Sequence, residues 1–116
     1  MSDANCLFCK FVSGELDVNF VYETKKVLAF HDINPQAPTH VLIIPRKHIS
    51  TINDLTITDR EEIGNLYLAA MEVAKEEGFS EDGYRVVMNC NAAAGQTVLH
   101  VHLHLLGGRK FNWPPG

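Results

Sequence analysis

The chain reads HVHLHLL from residue 100 to residue 106, with histidine at every second position of the first five. Side chains on a β-strand alternate between its two faces, so we expect all three imidazoles on one face, roughly 6.6 Å apart. Packing does not explain this pattern, because valine or threonine suits a half-buried strand face better. A solvated face has no reason to prefer three groups that titrate near pH ~6.5. The segment therefore predicts a functional site.

Two kinds of chemistry fit three aligned imidazoles. Histidines at alternate strand positions can chelate a metal ion, whereas imidazole can also attack phosphorus and imidazolium can stabilise phosphate oxygens. The preceding loop favours phosphate, because its small residues over 91–95 let backbone N–H groups approach an anion. Asn89, Gln96 and Thr97 add polar side chains to the same loop.

The composition limits the remaining classes of protein. The chain has 116 residues, 46% of them hydrophobic and 21% charged, which is typical of one globular domain over residues 1–116. Its net charge of −4 argues against a protein that coats nucleic acid. No run approaches the ~20 apolar residues that span a membrane. The N-terminal residues lack the pattern of a secretory signal, and three cysteines favour a reducing, cytoplasmic location.

The hydrophobic pattern predicts an α+β fold with about five mostly antiparallel strands, one short helix and one long helix. Gly14 and Gly78 are expected to end the helices, and Thr58 with Glu61 to form a capping box at the start of the long one. The predicted elements are a helix near 7–13, strands at 20–22, 27–30, 41–44, 84–89 and 99–106, a long helix over about 59–77, and an irregular tail over about 107–116.

Cys6 and Cys9 form a Cys-x-x-Cys pair near the N-terminus. On spacing alone the pair is half of a metal site, a redox pair or two buried thiols. A thioredoxin-like role is disfavoured, because no apolar strand precedes Cys6.

The motif over 100–106 resembles the signature of the histidine triad (HIT) superfamily at every position. Further segments resemble the Hint branch of that superfamily, namely 31–40 (HDINPQAPTH), 44–49 (IPRKHI), 95–97 (GQT), 106–109 (LGGR) and 113–116 (WPPG). The resemblance implies the HIT fold, with the sheet continued across a homodimer. It also implies a purine nucleotide phosphoramidase or nucleotidyl hydrolase acting at the α-phosphate of nucleoside 5′-monophosphate conjugates.

The same resemblance assigns roles to individual residues. His102 would be the nucleophile that forms a nucleotidyl-histidine intermediate, His104 would hold the phosphate and assist the leaving group, and His100 would support the nucleophile, with His40 as a further active-site histidine. Asp32 would bind the ribose, and the base would be enclosed by Phe8, Ile33 and Leu42, together with Leu7 and Phe11. The phosphate would be bound by Asn89, Gly95, Gln96 and Thr97. Trp113 would reach the partner subunit's site.

Relatives with Cys-x-x-Cys bind a structural zinc, and the resemblance implies Cys6, Cys9, His48 and His100 as its ligands here. Other relatives lack the cysteines, so catalysis would require no cofactor; buried thiols are the alternative. Two other functions remain open: a nucleotide-binding regulatory module with incidental hydrolysis, and a dinucleoside polyphosphate hydrolase. His31 is expected to be structural.

Overall fold

A computed structural model describes residues 3–116 of the chain. Two helices, α1 (Leu7–Ser13) and α2 (Arg60–Glu77), accompany one five-stranded sheet. The strands are β1 (Phe20–Glu23), β2 (Val27–His31), β3 (Thr39–Pro45), β4 (Arg85–Val87) and β5 (Leu103–Gly107), and short 3-10 turns lie at Ile52–Asp54, Ile57–Asp59 and Ala92–Ala94. The spatial order is β1-β2-β3-β5-β4, and every neighbouring pair is antiparallel. The predicted α+β fold is confirmed.

The central strands are buried on both faces, which explains their continuous apolar runs. One face carries Val27, Ala29, Val41 and Ile43 and packs against α2. The other carries Leu28, Phe30, Leu42 and Ile44 and packs against Phe8 and Cys9 of α1. The short N-terminal helix therefore closes the face of the sheet that α2 leaves open.

The predicted histidine strand is shorter than expected, since β5 begins only at Leu103. The Val101 N–H donates to the Ile49 carbonyl at 2.7 Å, so the preceding segment pairs with the irregular chain after β3 and leaves the ladder. Similarly, β4 covers Arg85–Val87 and not the predicted 84–89, because only these three residues pair with β5.

The predicted capping box at Thr58 is wrong. Helix α2 begins at Arg60, and the capping box lies one turn earlier, where the Asp59 carboxylate accepts from the Thr56 N–H at 2.9 Å. Lys47 also donates to Asp59 at 2.6 Å, which fixes that carboxylate at the start of α2. Both predicted helix ends are confirmed, since Gly14 and Gly78 adopt the left-handed conformation.

Helix α2 buries only part of its apolar surface. Leu66, Ala70 and Val73 face the sheet. Tyr67, Leu68 and Met71 remain 49%, 59% and 40% exposed. The apolar stripe is wider than one helix face can bury, so α2 presents an apolar outer surface. Within residues 3–116, no helix is both long and apolar enough to cross a bilayer.

Candidate active site

The three imidazoles of the motif share one side of the sheet even though only His104 lies in β5. His100 is fully buried and His102 nearly so, and both approach the Phe8 ring edge-on, with centroids 5.8 and 5.2 Å away. His104 is half-buried and pairs with Leu42 of β3. Leu103 and Leu105 point to the opposite face, against α2. The chain before β5 thus keeps the predicted alternation of the histidines without ladder pairing, although residues 98–100 form a bend.

Hydrogen bonding fixes the tautomer of His102. Its Nδ1 lies 2.7 Å from the His100 carbonyl oxygen, which can only accept, so Nδ1 carries the proton. The other ring nitrogen, Nε2, therefore keeps its lone pair. Burial lowers the pKa of His102, and the bond to His100 opposes this shift. A neutral imidazole with a free Nε2 lone pair is the form that can attack phosphorus.

A second chain of hydrogen bonds fixes His40 and His104. The Gln36 backbone N–H donates to His40 Nδ1 at 3.0 Å, so His40 carries its proton on Nε2. His40 Nε2 lies 2.9 Å from His104 Nδ1 and donates to it. His104 must then carry its own proton on Nε2, the nitrogen left for the cleft that it lines. The Nε2–H of His104 can therefore donate a hydrogen bond to a molecule in the cleft.

The position of Asp32 raises the alternative that Asp32, His40 and His104 bind a metal ion. Ligand atoms of Asp32, His40 and His104 lie within 4.8 Å of one another, and Asp32 Oδ2 is 3.4 Å from His40 Nε2. However, His40 Nε2 is protonated for the reason just given, and a protonated nitrogen has no lone pair for a metal. This cluster suits proton transfer better than metal binding.

A cleft of about 280 Å³ brings some of the predicted site residues together, including Asp32, His102 and His104. Volume does not distinguish it, since clefts of about 300 and 350 Å³ lie beside the start of α2 and beside Asp3. The cleft is distinguished by its lining, because it combines two motif imidazoles with a carboxylate and an apolar wall. The lining residues are Leu7, Phe8, Phe11, Val18, Phe30, His31, Asp32, Ile33, Leu42, Thr97, Val98, His102 and His104.

Sequence reasoning missed four of these residues. Phe30 was assigned only to a strand, and Val98 lies just before the predicted strand at 99–106. His31 was expected to be structural, and Val18 carried no signal. The alternation along β2 could have identified Phe30, because it shares a face with the β3 residue Leu42, its partner in the ladder. Val18 precedes β1 and reaches the cleft only through the tertiary fold.

Asn89, Gly95, Gln96 and Trp113 do not line this cleft. The buried Gln96 amide donates to the carbonyls of Ser50 and Val98 at 2.8 and 3.1 Å and accepts the Asn91 N–H at 2.8 Å. Its polar atoms therefore already have backbone partners, in the loop itself and at Ser50 after β3. Trp113 is 81% exposed at the end of the tail.

The Cys6, Cys9, His48 and His100 side chains form a separate cluster with ligand atoms within 4.8 Å. Cys6 Sγ is 3.4 Å from His100 Nδ1, and Cys9 Sγ is 3.1 Å from His48 Nδ1 and 3.6 Å from His100 Nδ1. Neighbouring ligands of tetrahedral zinc lie about 3.5 Å apart, given typical Zn–S and Zn–N lengths. His100 donates Nε2–H to the Pro45 carbonyl at 2.8 Å, which leaves Nδ1 free to bind a metal. These residues fit a structural metal ion.

Acidification is expected to destabilise the fold partly through His104. Burial lowers the pKa of His104 from 6.5 to about 4, with smaller lowering by His102 and His40 and a raising effect of Asp32. Between these values the unfolded chain binds more protons, so stability is complete above pH 6.5 and falls as pH approaches 4. Solvent reaches this half-buried ring, so we expect a loss of roughly 1–2 kcal/mol.

Urea unfolding at pH 7 and pH ~4.5 measures this contribution. The variant His104→Asn should lose less stability on acidification than the wild type does. Equal losses in the two proteins would show that His104 contributes nothing to the pH dependence.

A five-stranded antiparallel sheet with this histidine motif defines the class of HIT domains, and the family model described as HIT domain matches residues 13–111. The chain therefore belongs to the HIT family. It is 47% identical to the purine nucleoside phosphoramidase of Escherichia coli strain K12 over 103 residues, covering 89% of this chain and 87% of that protein. It is 49% identical to a 14 kDa zinc-binding protein of Zea mays over 118 residues, covering 100% and 91%.

Solved structures agree with this assignment. A HIT family hydrolase from Legionella pneumophila Philadelphia 1 superposes with a TM-score of 0.93 at 57% identity, covering 97% of this chain and 100% of that one.

Proposed function

We propose that this protein is a Hint-branch hydrolase that cleaves the P–N bond of nucleoside 5′-phosphoramidates. The observation that carries the proposal is the pair of complementary tautomers, a lone pair on His102 Nε2 beside a proton on His104 Nε2. The similarity to the Escherichia coli purine nucleoside phosphoramidase supports the same reaction class.

In the first step His102 Nε2 attacks the α-phosphorus and forms a P–N bond. The bond from phosphorus to the leaving amine breaks, and its electron pair passes to the amine nitrogen. The anionic substrate raises the pKa of His104, so the ring takes up a second proton and reacts as the imidazolium. Its Nε2–H then passes to the leaving nitrogen and the ring returns to the neutral form, because an unprotonated amide anion is a very poor leaving group. The His100 carbonyl stabilises the positive charge that develops on the His102 ring through the Nδ1–H bond.

In the second step water attacks the nucleotidyl-histidine. His104 accepts a proton from the water, the bond between phosphorus and His102 Nε2 breaks, and its electrons return to the ring nitrogen. The products are a nucleoside monophosphate and a free amine. His102 regains its starting tautomer, and His104 releases its second proton as the anionic product leaves. The bound phosphate dianion or monoanion raises the pKa of both imidazoles, which aids proton transfer to and from His104.

The nucleotide occupies the cleft in the proposed complex. The Asp32 carboxylate receives the ribose hydroxyls, and apolar side chains including Phe8, Ile33 and Leu42 enclose the base. Thr97, Asn89 and Gly95 are proposed phosphate contacts, of which Thr97 lines the cleft. Gln96 is proposed to support this loop from below, because its amide is engaged with the backbone.

Release of AMP from adenosine 5′-phosphoramidate by the purified protein tests the proposed reaction. Comparison with diadenosine polyphosphates in the same assay distinguishes the polyphosphate hydrolase, which would prefer them. Tight AMP binding without turnover of either substrate would favour the regulatory module.

We further propose that Cys6, Cys9, His48 and His100 hold one structural zinc ion. Zinc there would link α1 to the chain after β3 and to the segment before β5, with no part in bond cleavage. The zinc-binding name of the Zea mays relative and the ligand distances support this assignment.

Zinc removal by a chelator is expected to lower the Tm by roughly 10 °C, because zinc at 100 times its Kd adds about 2.7 kcal/mol of stability. Native mass spectrometry should find one zinc per chain in the wild type and none in Cys9→Ser. The control Cys90→Ser, which changes a cysteine outside the cluster, should keep its zinc. Metal-free wild-type protein with unchanged Tm would contradict the proposal.

A homodimer is proposed from the exposed apolar surface of α2, where Tyr67, Leu68 and Met71 lie together on the helix. The outer edge of β4 is a second surface, since within residues 3–116 β4 pairs only with β5, and a second copy could extend the sheet. In such a dimer the exposed Trp113 would reach the partner subunit's cleft.

Sedimentation equilibrium should give twice the chain mass of 13.0 kDa. Leu68→Glu is expected to produce monomers, since it places a charge in the apolar surface. The control Leu16→Glu changes an exposed leucine away from α2 and should remain dimeric. A monomeric wild type would contradict the proposal.

We also propose a cytoplasmic location, because all three cysteines are free thiols. Fractionation of cells with an antibody to the protein tests the location, and recovery outside the cytoplasm would contradict it.

A further inference from the structure

Arg109 follows β5 and is held firmly although it is exposed. Its Nε and Nη2 donate to the Gln36 carbonyl at 3.3 and 3.0 Å, and its Nη1 donates to the Lys110 carbonyl at 3.1 Å. The guanidinium also lies 4.2 Å above the centroid of the Phe111 ring, a cation–π geometry. All three guanidinium nitrogens of Arg109 therefore have partners, and the guanidinium fixes the position of Gln36.

Gln36 connects the Arg109 guanidinium to His40 and His104. Its N–H donates to His40 Nδ1 at 3.0 Å, and its side-chain amide donates to the Asn34 carbonyl at 3.0 Å, which keeps the turn closed. The next link is the 2.9 Å bond from His40 Nε2 to His104 Nδ1. A continuous series of contacts thus runs from the Arg109 guanidinium to His104.

Gly108 allows the chain after β5 to approach the turn over 34–38. Gly108 has φ +92°, and a Cβ built on it would lie 2.9 Å from Pro38 Cβ. Any larger residue would push the chain away from the turn over 34–38. Close packing at Gly108 therefore brings Arg109 within reach of the Gln36 carbonyl.

We propose that Arg109 is a positioning residue that sets the tautomers of His40 and His104 through Gln36. This inference deepens the proposed function and, for its effect on turnover, rests on it. If Gln36 moves, His40 Nδ1 loses its donor and the ring can carry its proton there. His40 Nε2 would then accept from His104 Nδ1, and the proton of His104 would leave the nitrogen that faces the cleft.

Asp32 limits how far the loss of Arg109 can change the tautomers of His40 and His104. Its carboxylate, 3.4 Å from His40 Nε2, also favours a proton on that nitrogen, so the starting tautomer is retained in part when Arg109 is removed. We therefore expect about a tenfold fall in kcat, less than the 10²–10⁴ that general acid catalysis contributes. KM should change less than about twofold, because Arg109 does not line the cleft.

The variant Arg109→Gln tests the inference, with Lys110→Gln as a control that removes the same charge from the neighbouring exposed residue. Long-range ¹H–¹⁵N spectra of the substrate-free proteins report which nitrogen of each histidine is protonated. Arg109→Gln should show a mixture of tautomers at His40 and His104, whereas Lys110→Gln should match the wild type. Phe111→Leu, which removes the ring beneath the guanidinium, should shift both signals in the same direction by less.

Wild-type tautomers in Arg109→Gln would overturn the inference, as would an equal shift in Lys110→Gln. If Arg109→Gln does not fold, wild-type tautomers in Phe111→Leu would overturn it. The spectra need no substrate, so this result is separate from the phosphoramidase assay. Loss of the proposed function would appear as absent turnover in the wild type, with the tautomer shift still measurable.

Discussion

Replacing His102 with alanine is expected to lower kcat for adenosine 5′-phosphoramidate by about 10⁴-fold or more, because the variant has no group to form the covalent intermediate. His102 is the motif histidine that lines the cleft and keeps an unshared lone pair on Nε2. Single-turnover measurement of AMP release is the appropriate assay, since it reports the chemical step without product release.

His31→Ala is the comparison for this variant, since it removes another imidazole from the same cleft. His31 is exposed and takes no part in the bonds that fix His102 or His104. Its loss should raise KM and leave kcat within about threefold, because uniform binding affects KM alone. Turnover by His102→Ala at a rate similar to that of His31→Ala would rule out His102 as the nucleophile.

Replacing His104 with alanine is expected to have an effect that depends on the leaving group. With an amine leaving group we expect a fall of about 10³-fold in the rate of amine release during the first turnover, within the range for general acid catalysis. With a 4-nitrophenyl ester of AMP we expect less than about a tenfold fall in the rate of nitrophenolate release during the first turnover, because nitrophenolate leaves without a proton and water attacks only afterwards. Both substrates share the nucleotide, so the comparison isolates proton transfer.

Equal losses in the first-turnover rate of leaving-group release from the two substrates would contradict a proton-donating role and would favour phosphate binding alone. The His40→Gln variant supports the interpretation, because His40 reaches His104 but does not line the cleft. It should show the same dependence on leaving group with smaller losses.

The main elements of the fold were predictable because each carries a local signal. The stops at Gly14 and Gly78, the apolar runs of β2 and β3 and the stripe of α2 all reflect the requirements of single elements. The histidine motif indicated the site because imidazole on one face of an extended segment has no packing explanation.

Other features depend on partners far away in the sequence. β5 begins at Leu103 because Val101 bonds to Ile49, and no pattern around residue 100 reveals that partner. The extent of the exposed surface on α2 likewise depends on how much of the helix the sheet can cover. Local periodicity gives the width of the apolar stripe but not the area that is buried.

The tautomers could not be predicted from the sequence either. They follow from backbone groups, namely the His100 carbonyl and the Gln36 N–H, whose positions are set by tertiary structure. The resemblance assigned Gln96 to the phosphate, whereas its buried amide is bonded to the loop backbone. Residue type identifies a polar group, but only the fold determines which partner it has.

The covalent intermediate on His102 is the central claim. It is tested most directly by mass spectrometry of single turnovers that are quenched rapidly and without acid. The account predicts a nucleotidyl group on the peptide that contains His102, forming before AMP appears and decaying at the rate of AMP release. The same adduct should be absent from His102→Ala. Full AMP release with no adduct at any time, or with the adduct on another histidine, would contradict the account.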